Sequence, residues 1–173
     1  MTMTYDVSSF DTVPDKAALD ALLLEYYGVI LRKFEAAGGP TIYTAEDLKS
    51  SFWPNLHKFL PPTGRLILVH DGNGDLVGCG TLQQARPDAG ELKRLYVKPK
   101  AAGHGLGRAI VDMRMAAARE IGWKTLLVNA IRGNMDMIRI YEKLGFRYID
   151  AYPECSDPVE AQPYFIFMQY DFD

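Results

Sequence analysis

Gly103, Gly105 and Gly107 stand at alternate positions in Ala102-Gly103-His104-Gly105-Leu106-Gly107-Arg108, just ahead of an apolar helical pattern. Glycines so spaced let a chain turn sharply and approach a bulky anion without Cβ contacts. The helix that follows brings free N–H groups and about half a positive charge at its start. Lys98, Lys100, His104 and Arg108 add local positive charge. Farther on, Asn134 and Tyr141 are seven residues apart, nearly two helical turns, and so share one helix face. A phenol with a pKa of about 10 keeps its proton at neutral pH and can give it to what an anchored phosphate carries. Glu91, at the head of the strand leading into the glycine turn, can take a proton directly or through a water. It is equally placed to pair with Lys93 or Arg94. Asn134 can also cap its helix, and Gly145 can end it.

Those groups need elements to hold them. Residues 15–37 carry Leu19, Leu22, Leu23, Tyr26, Ile30 and Phe34 at helical spacing, stopped by Gly38, Gly39 and Pro40. A second helix is predicted from Thr44, with Asp47 three residues on, and Pro54 breaks or kinks it before Pro61. Residues 65–70 and 76–82 flank Asp71-Gly72-Asn73-Gly74-Asp75, which reads as an antiparallel hairpin. Then come a strand (92–97), a helix (106–121) with a stripe of Leu106, Ile110, Met113, Ala117 and Ile121, a buried strand (125–129) and a helix (135–144). Two closing strands (146–152 and 164–170) complete the series. The alternation predicts parallel pairing in the second half, hence a mixed sheet. No repeat or linker divides residues 1–173, so one domain is expected.

Composition narrows the function classes. The chain has 173 residues, 48% of them hydrophobic and 24% charged, enough to bury a core without staples. A net charge of −3 argues against nucleic acid as a partner, so an anion must be held locally. Cys79 and Cys155 form neither a disulfide framework nor a metal spacing, and read as reduced thiols. His57 and His70 lack partners for a metal or a nucleophilic triad. With no leader-like or membrane-spanning pattern at the N-terminus, the expected location is the cytoplasm, away from membranes. The glycine turn matches neither the triphosphate loop, which needs Gly-Lys-Ser/Thr, nor the dinucleotide fingerprint, whose third glycine falls one residue later.

In this context the chain resembles the GCN5-related N-acetyltransferase (GNAT) family, in its bacterial small-molecule type, most specifically over residues 91–146. Gly105 and Gly107 fit the signature Arg/Gln-x-x-Gly-x-Gly/Ala, with Ala102 where the family usually has Arg or Gln. Asn134-x-x-Met137-x-x-x-Tyr141-x-x-x-Gly145-Phe146 is similar to the second signature, and residues 91–97 resemble the central strand. The resemblance implies an α/β fold of mixed α+β character. Its sheet would be mixed and mostly antiparallel, flanked by helices, with one parallel strand pair splayed at the cofactor site.

It further implies an enzyme that moves an acetyl group from acetyl-coenzyme A to a small primary amine by direct transfer, without a metal. Backbone groups of Leu95, Tyr96 and Val97 would bind the pantetheine arm and thioester. The N–H groups of Gly103, His104, Gly105, Leu106, Gly107 and Arg108 would take the pyrophosphate, and Arg108 or Lys100 would supply the charge that Ala102 lacks. Asn134 would contact the pantetheine or place Tyr141. Tyr141 is then the general acid for a thiolate whose thiol has a pKa of about 8.5, and Glu91 the candidate base. The oxyanion would meet N–H groups near Val97. The acceptor would be walled by Tyr26, Tyr27, Trp53, His57 and residues 152–164, whose aromatics suit a small cationic amine. The alternative is a non-catalytic acyl-coenzyme A binding or sensing module on the same fold. The apolar strand at 164–168 would favour a homodimer if it left an edge to cover.

Overall fold

The computed structural model describes residues 2–173. Helix α1 (Lys16–Ala36) starts where the Asp15 carboxylate accepts the Ala18 N–H at 3.0 Å, and the chain leaves it through Gly38 at φ 93°. Helix α2 (Ala45–Ser50) is short, opened by a reciprocal Thr44–Asp47 capping box. Pro54 then forces a separate 3-10 turn, Trp53–Phe59. In the hairpin β2 (Arg65–Asp71) to β3 (Leu76–Arg86), the Asp71 carboxylate accepts N–H groups of Asn73 and Asp75 at 2.9 and 3.0 Å. Those bonds hold its pKa below the usual carboxylate value. After β4 (Ala89–Val97) come α3 (Leu106–Ile121), β5 (Thr125–Ile131), α4 (Met135–Leu144), the short β6 (Arg147–Ile149) and β7 (Phe165–Asp171).

These strands form one seven-stranded sheet in the order β1-β2-β3-β4-β5-β7-β6, with β1 at Tyr5–Phe10. Only β4 and β5 run parallel. The sequence reading had no strand at β1, because Asp6, Ser8 and Ser9 hide the alternation by which Tyr5 and Val7 pack on the core. The parallel pairing expected in the second half is the single pair β4–β5, within the expected mixed, mostly antiparallel sheet. Strand β7 carries Phe167 and Met168 into the interior between β5 and β6, antiparallel to both. The three-residue β6, with Arg147 and Tyr148 exposed, is left at the edge. Of the segment 164–168, β6 covers only Phe167 and Met168, while Phe165 and Ile166 pair with β5 alone.

The sheet is covered on both faces. One face packs Ile67, Val69, Leu82, Leu92, Leu126 and Val128 against Ile110 and Val111 of α3. The other packs Leu66, Leu68 and Cys79 against Leu19, Leu22 and Leu23 of α1 and against Phe52 and Phe59. The buried stripe of α3 is Leu106, Ile110, Val111, Arg114, Met115, Ala117 and Ala118, so Met113 and Ile121 lie at its margins. Gly80 allows α3 its close approach, since a Cβ there would fall 2.4 Å from Ile110 Cγ2.

Two irregularities in β4 open the sheet. Cys79 pairs with Tyr96 but Thr81 pairs with Lys93, so Arg94 and Leu95 together oppose Gly80 in a bulge. Arg94 takes φ 55°, a left-handed conformation that costs a non-glycine residue about 1–3 kcal/mol. Beside it, β4 pairs with β5 only from Ala89↔Thr125 to Leu92↔Val128. From Lys93 and Asn129 onward the two strands part.

Candidate active site

A cavity of about 800 Å³ occupies the parting of β4 and β5 and continues beneath α1. Leu92, Leu95, Val128, Met137 and Tyr141 line its inner end, and Tyr26, Tyr27, Phe34, Phe59 and Asp157 its outer end. The sheet's own departure from regular pairing makes the opening, so its position follows from the bulge and the short parallel register.

The glycine turn lies between β4 and α3. Gly103 and Gly105 sit at φ 82° and 72°, and a Cβ on either would meet nothing within 4 Å, so the turn presents open backbone. The first helical bond is Ala109 N–H to Gly105, and none of the N–H groups from 103 to 108 donates to a backbone acceptor. Six consecutive unspent donors at a helix start make an anion cradle, which fits a pyrophosphate. The expected help from Lys100 and Arg108 takes another form. Lys100 lies 3.4 Å from Asp71 and 3.7 Å from Asp75, and Arg108 pairs with Asp112 at 2.9 Å, so both cations are already matched by acids. His104 turns Nδ1 toward the Ala101 carbonyl at 3.2 Å, and its ring packs against Tyr5.

Tyr141 lines the cavity at 1% exposure, packed against Phe146. Burial pushes its pKa up and the Arg114 guanidinium pulls it down, burial being the larger effect. Arg114 is wholly buried on α3 and was not read from the sequence as a site residue. Its signal was present, an arginine four residues after Ile110 on the apolar stripe. Its Nη1 donates to the Thr81 and Lys93 carbonyls at 2.9 and 3.1 Å, and so ties α3 to the β4 bulge. The guanidinium is near enough to act on the Tyr141 phenol, yet the two do not meet at regular hydrogen-bond geometry, and Nη2 has no partner. No acid forms an ion pair with Arg114 among the described residues.

Asn134 holds the N-cap position of α4 without capping it. Its Oδ1 instead accepts a 2.8 Å hydrogen bond from Lys33 Nζ of α1, and it lines the cavity seven residues before Tyr141. Backbone positions 95–97 follow the bulge, on the stretch of β4 free of β5. The Tyr96 side chain points away to Glu25, its hydroxyl donating at 3.0 Å, and burial with that acid raises its pKa to about 12.

Glu91 is buried one layer behind the cavity wall. It accepts hydrogen bonds from Tyr152 and from Gln83 Nε2, the latter at 3.2 Å, with Lys93 Nζ 3.9 Å away. Its neighbours Gln83 and Lys93 line the cavity, whereas Glu91 itself does not. Burial raises the Glu91 pKa, against the opposing pull of Lys93 and the Tyr152 hydroxyl. Asp157, a second carboxylate, opens onto the cavity, bonded by Asn129 and 3.7 Å from Lys93. It lies within the 152–164 segment expected to wall the acceptor, where the sequence did not single it out. Of the expected acceptor wall, Tyr26, Tyr27 and residues 156–158 line the cavity, but Trp53 and His57 do not. The Trp53 indole N–H instead donates to Asp20 at 2.8 Å, beneath Lys16. Cys79 is buried with its pKa raised to about 12, Cys155 is raised to about 11, and both are free thiols.

A mostly antiparallel sheet with a single splayed parallel pair, an amide cradle at a helix start and a buried helical tyrosine define an acyl-coenzyme A N-acyltransferase fold. Residues 30–146 match the acetyltransferase (GNAT) family, and the chain belongs to it. It is thus an acyltransferase. It is 27% identical over 136 residues to the uncharacterized N-acetyltransferase YjgM of Escherichia coli, an alignment covering 77% of this chain and 81% of that one. To an uncharacterized N-acetyltransferase of Schizosaccharomyces pombe it is 26% identical over 98 residues, 56% of this chain and 60% of that protein's length. The fold is similar to that of the PaiA N-acetyltransferase of Thermoplasma acidophilum, solved in complex with coenzyme A, at TM-score 0.71 and 15% identity over 98% and 99% of the two chains. No described helix is long and apolar enough to cross a membrane.

Proposed function

We propose that the protein transfers an acetyl group from acetyl-coenzyme A directly to the amine of a small molecule. The observation that carries this reading is the continuity of one cavity from the splayed strands, Asn134 and Tyr141 to the wall formed by Tyr27 and Asp157. A binding or sensing module needs no open second end, whereas transfer requires donor and acceptor in one space. Acetyl-coenzyme A would supply the activated carbonyl and a thiolate leaving group.

The chain's residues have the remaining tasks. Amides 103–108 hold the diphosphate, and the free stretch of β4 holds the arm and polarises the thioester carbonyl. The amine nitrogen forms a bond to that carbon, the C–S bond breaks, and the Tyr141 hydroxyl gives its proton to the departing sulfur. Burial keeps that phenol protonated until the proton is needed, and the Arg114 cation stabilises the phenolate left behind. Glu91 takes the ammonium proton through a bridging water, since it does not itself line the cavity. Asp157, which reaches the cavity directly, is the alternative base.

Thiol release from acetyl-coenzyme A, measured against a panel of small amines, tests the reading. Amine-dependent release is expected. Tight coenzyme A binding with no release across the panel would assign the chain to the sensing class instead. Comparing Glu91→Gln with Asp157→Asn decides the base, because only the base variant loses the acid limb of the pH profile.

A further inference from the structure

We infer that the acceptor carries a carboxylate beside its reactive amine, as an amino acid does, and that the Arg94 guanidinium binds this carboxylate. The inference rests on the transferase reading for the amine and on Arg94 alone for the acid.

Arg94 stands at the β4 bulge in a left-handed backbone conformation, lining the cavity at the point where β4 leaves β5. Its guanidinium is held on three sides. Nε donates to the Tyr27 hydroxyl at 3.0 Å, Nη1 donates to Thr81 Oγ1 at 3.3 Å, and the plane lies over Phe59, 4.3 Å from the ring centroid. These contacts fix its orientation without neutralising it. Nη2 and the second hydrogen of Nη1 are unspent, and no described acid forms an ion pair with Arg94. Its neighbour Lys93 differs, lying within ion-pair distance of Glu91 and Asp157. A half-buried, oriented guanidinium with three N–H bonds left on its two terminal nitrogens presents the fork that a carboxylate fits.

The acids of the same wall point the same way. Asp47 is committed to the Thr44 cap, and Asp157 to Asn129 and Lys93, so a polycationic amine would find no unmatched carboxylate in this cavity. The small cationic amine suggested by the aromatic residues is thus a poorer fit than an amine with its own anion. Arg94 directly precedes Leu95 on the stretch of strand proposed to hold the thioester, so acid and amine must be close together in the acceptor.

Calorimetry on the full chain saturated with coenzyme A tests this without turnover. The probes are N-acetylalanine, N-acetylmethionine, N-acetylphenylalanine and N-acetylglutamate, each beside its carboxamide. At least one acid should bind about tenfold or more tightly than its carboxamide. Arg94→Gln should abolish that advantage and Arg94→Lys restore part of it, with coenzyme A affinity unchanged in both. Acids binding no better than carboxamides, or an advantage that survives Arg94→Gln, would overturn the inference. Should Arg94→Gln not fold, Arg94→Lys and the native acid-to-carboxamide ratio still decide. Carboxylate binding without thiol release on the parent amino acids would leave Arg94's role standing and remove the transferase reading.

Discussion

The two ends of the cavity are built from different materials. On the proposed reading the groups that meet the donor are main-chain amides at 103–108, which lie outside the cavity's lining, and along β4 at its inner end, with one side chain, Tyr141, on a regular helix. The outer end is lined by residues of α1, of 40–59 and of the 156–165 segment. Main-chain donors depend on turn geometry and tolerate change in neighbouring side chains. A wall of side chains can be respecified one residue at a time. On the proposed reading the first end sets the reaction and the second the acceptor, and variants of the two should fail in different kinetic constants.

The sharpest break in that division is Tyr141→Phe. Loss of the proton donor should lower kcat about 100-fold or more, with coenzyme A affinity within about threefold, checked by steady-state rates and calorimetry. Arg114→Met should follow, with a fall in kcat of about tenfold. Arg114 holds the phenol's pKa down, so its removal raises that pKa. Activity needs the protonated phenol, so the alkaline limb of the kcat profile should move to higher pH. An unmoved limb would reduce Arg114 to a strut for the bulge.

The same contrast explains what could be read from the sequence. The turn, α3 and α4 were legible because glycine spacing, a helix period and Gly145 are local signals. The burial of Glu91 behind Gln83, the opening of Asp157 onto the cavity and the free fork of Arg94 were not. Gln83 meets Glu91 across the β3–β4 pair, Arg94 stands at the bulge of that pair and Asp157 reaches Asn129 of β5 from a later loop, and no periodicity records those meetings. Strand β7 was legible as a strand but its place in the sheet was not, because its neighbours are fixed by the return of residues 150–164 rather than by its own residues.

A smaller effect bears on the base. Burial raises the Glu91 pKa, and the Tyr152 hydrogen bond opposes that rise by stabilising the carboxylate. In Tyr152→Phe the pKa should therefore climb further. A base must be ionised, so the acid limb of kcat/KM should shift to higher pH while the plateau changes by about threefold or less. A limb that stays in place in Tyr152→Phe but is lost in Asp157→Asn would transfer the base role to the outer end.

The finest test concerns a bond between α1 and the start of α4. Lys33 of α1 donates to Asn134 Oδ1 at 2.8 Å, and Asn134 makes no cap that would otherwise fix its side chain. Lys33→Met keeps the apolar stem and removes only the donor. If the bond chiefly anchors α1, the acceptor KM should rise about threefold with coenzyme A binding unchanged. If the Asn134 amide instead belongs to the donor's arm, freeing it should alter coenzyme A affinity and leave the acceptor KM alone. The two outcomes fall in different constants, so this single substitution decides to which end of the cavity Asn134 belongs.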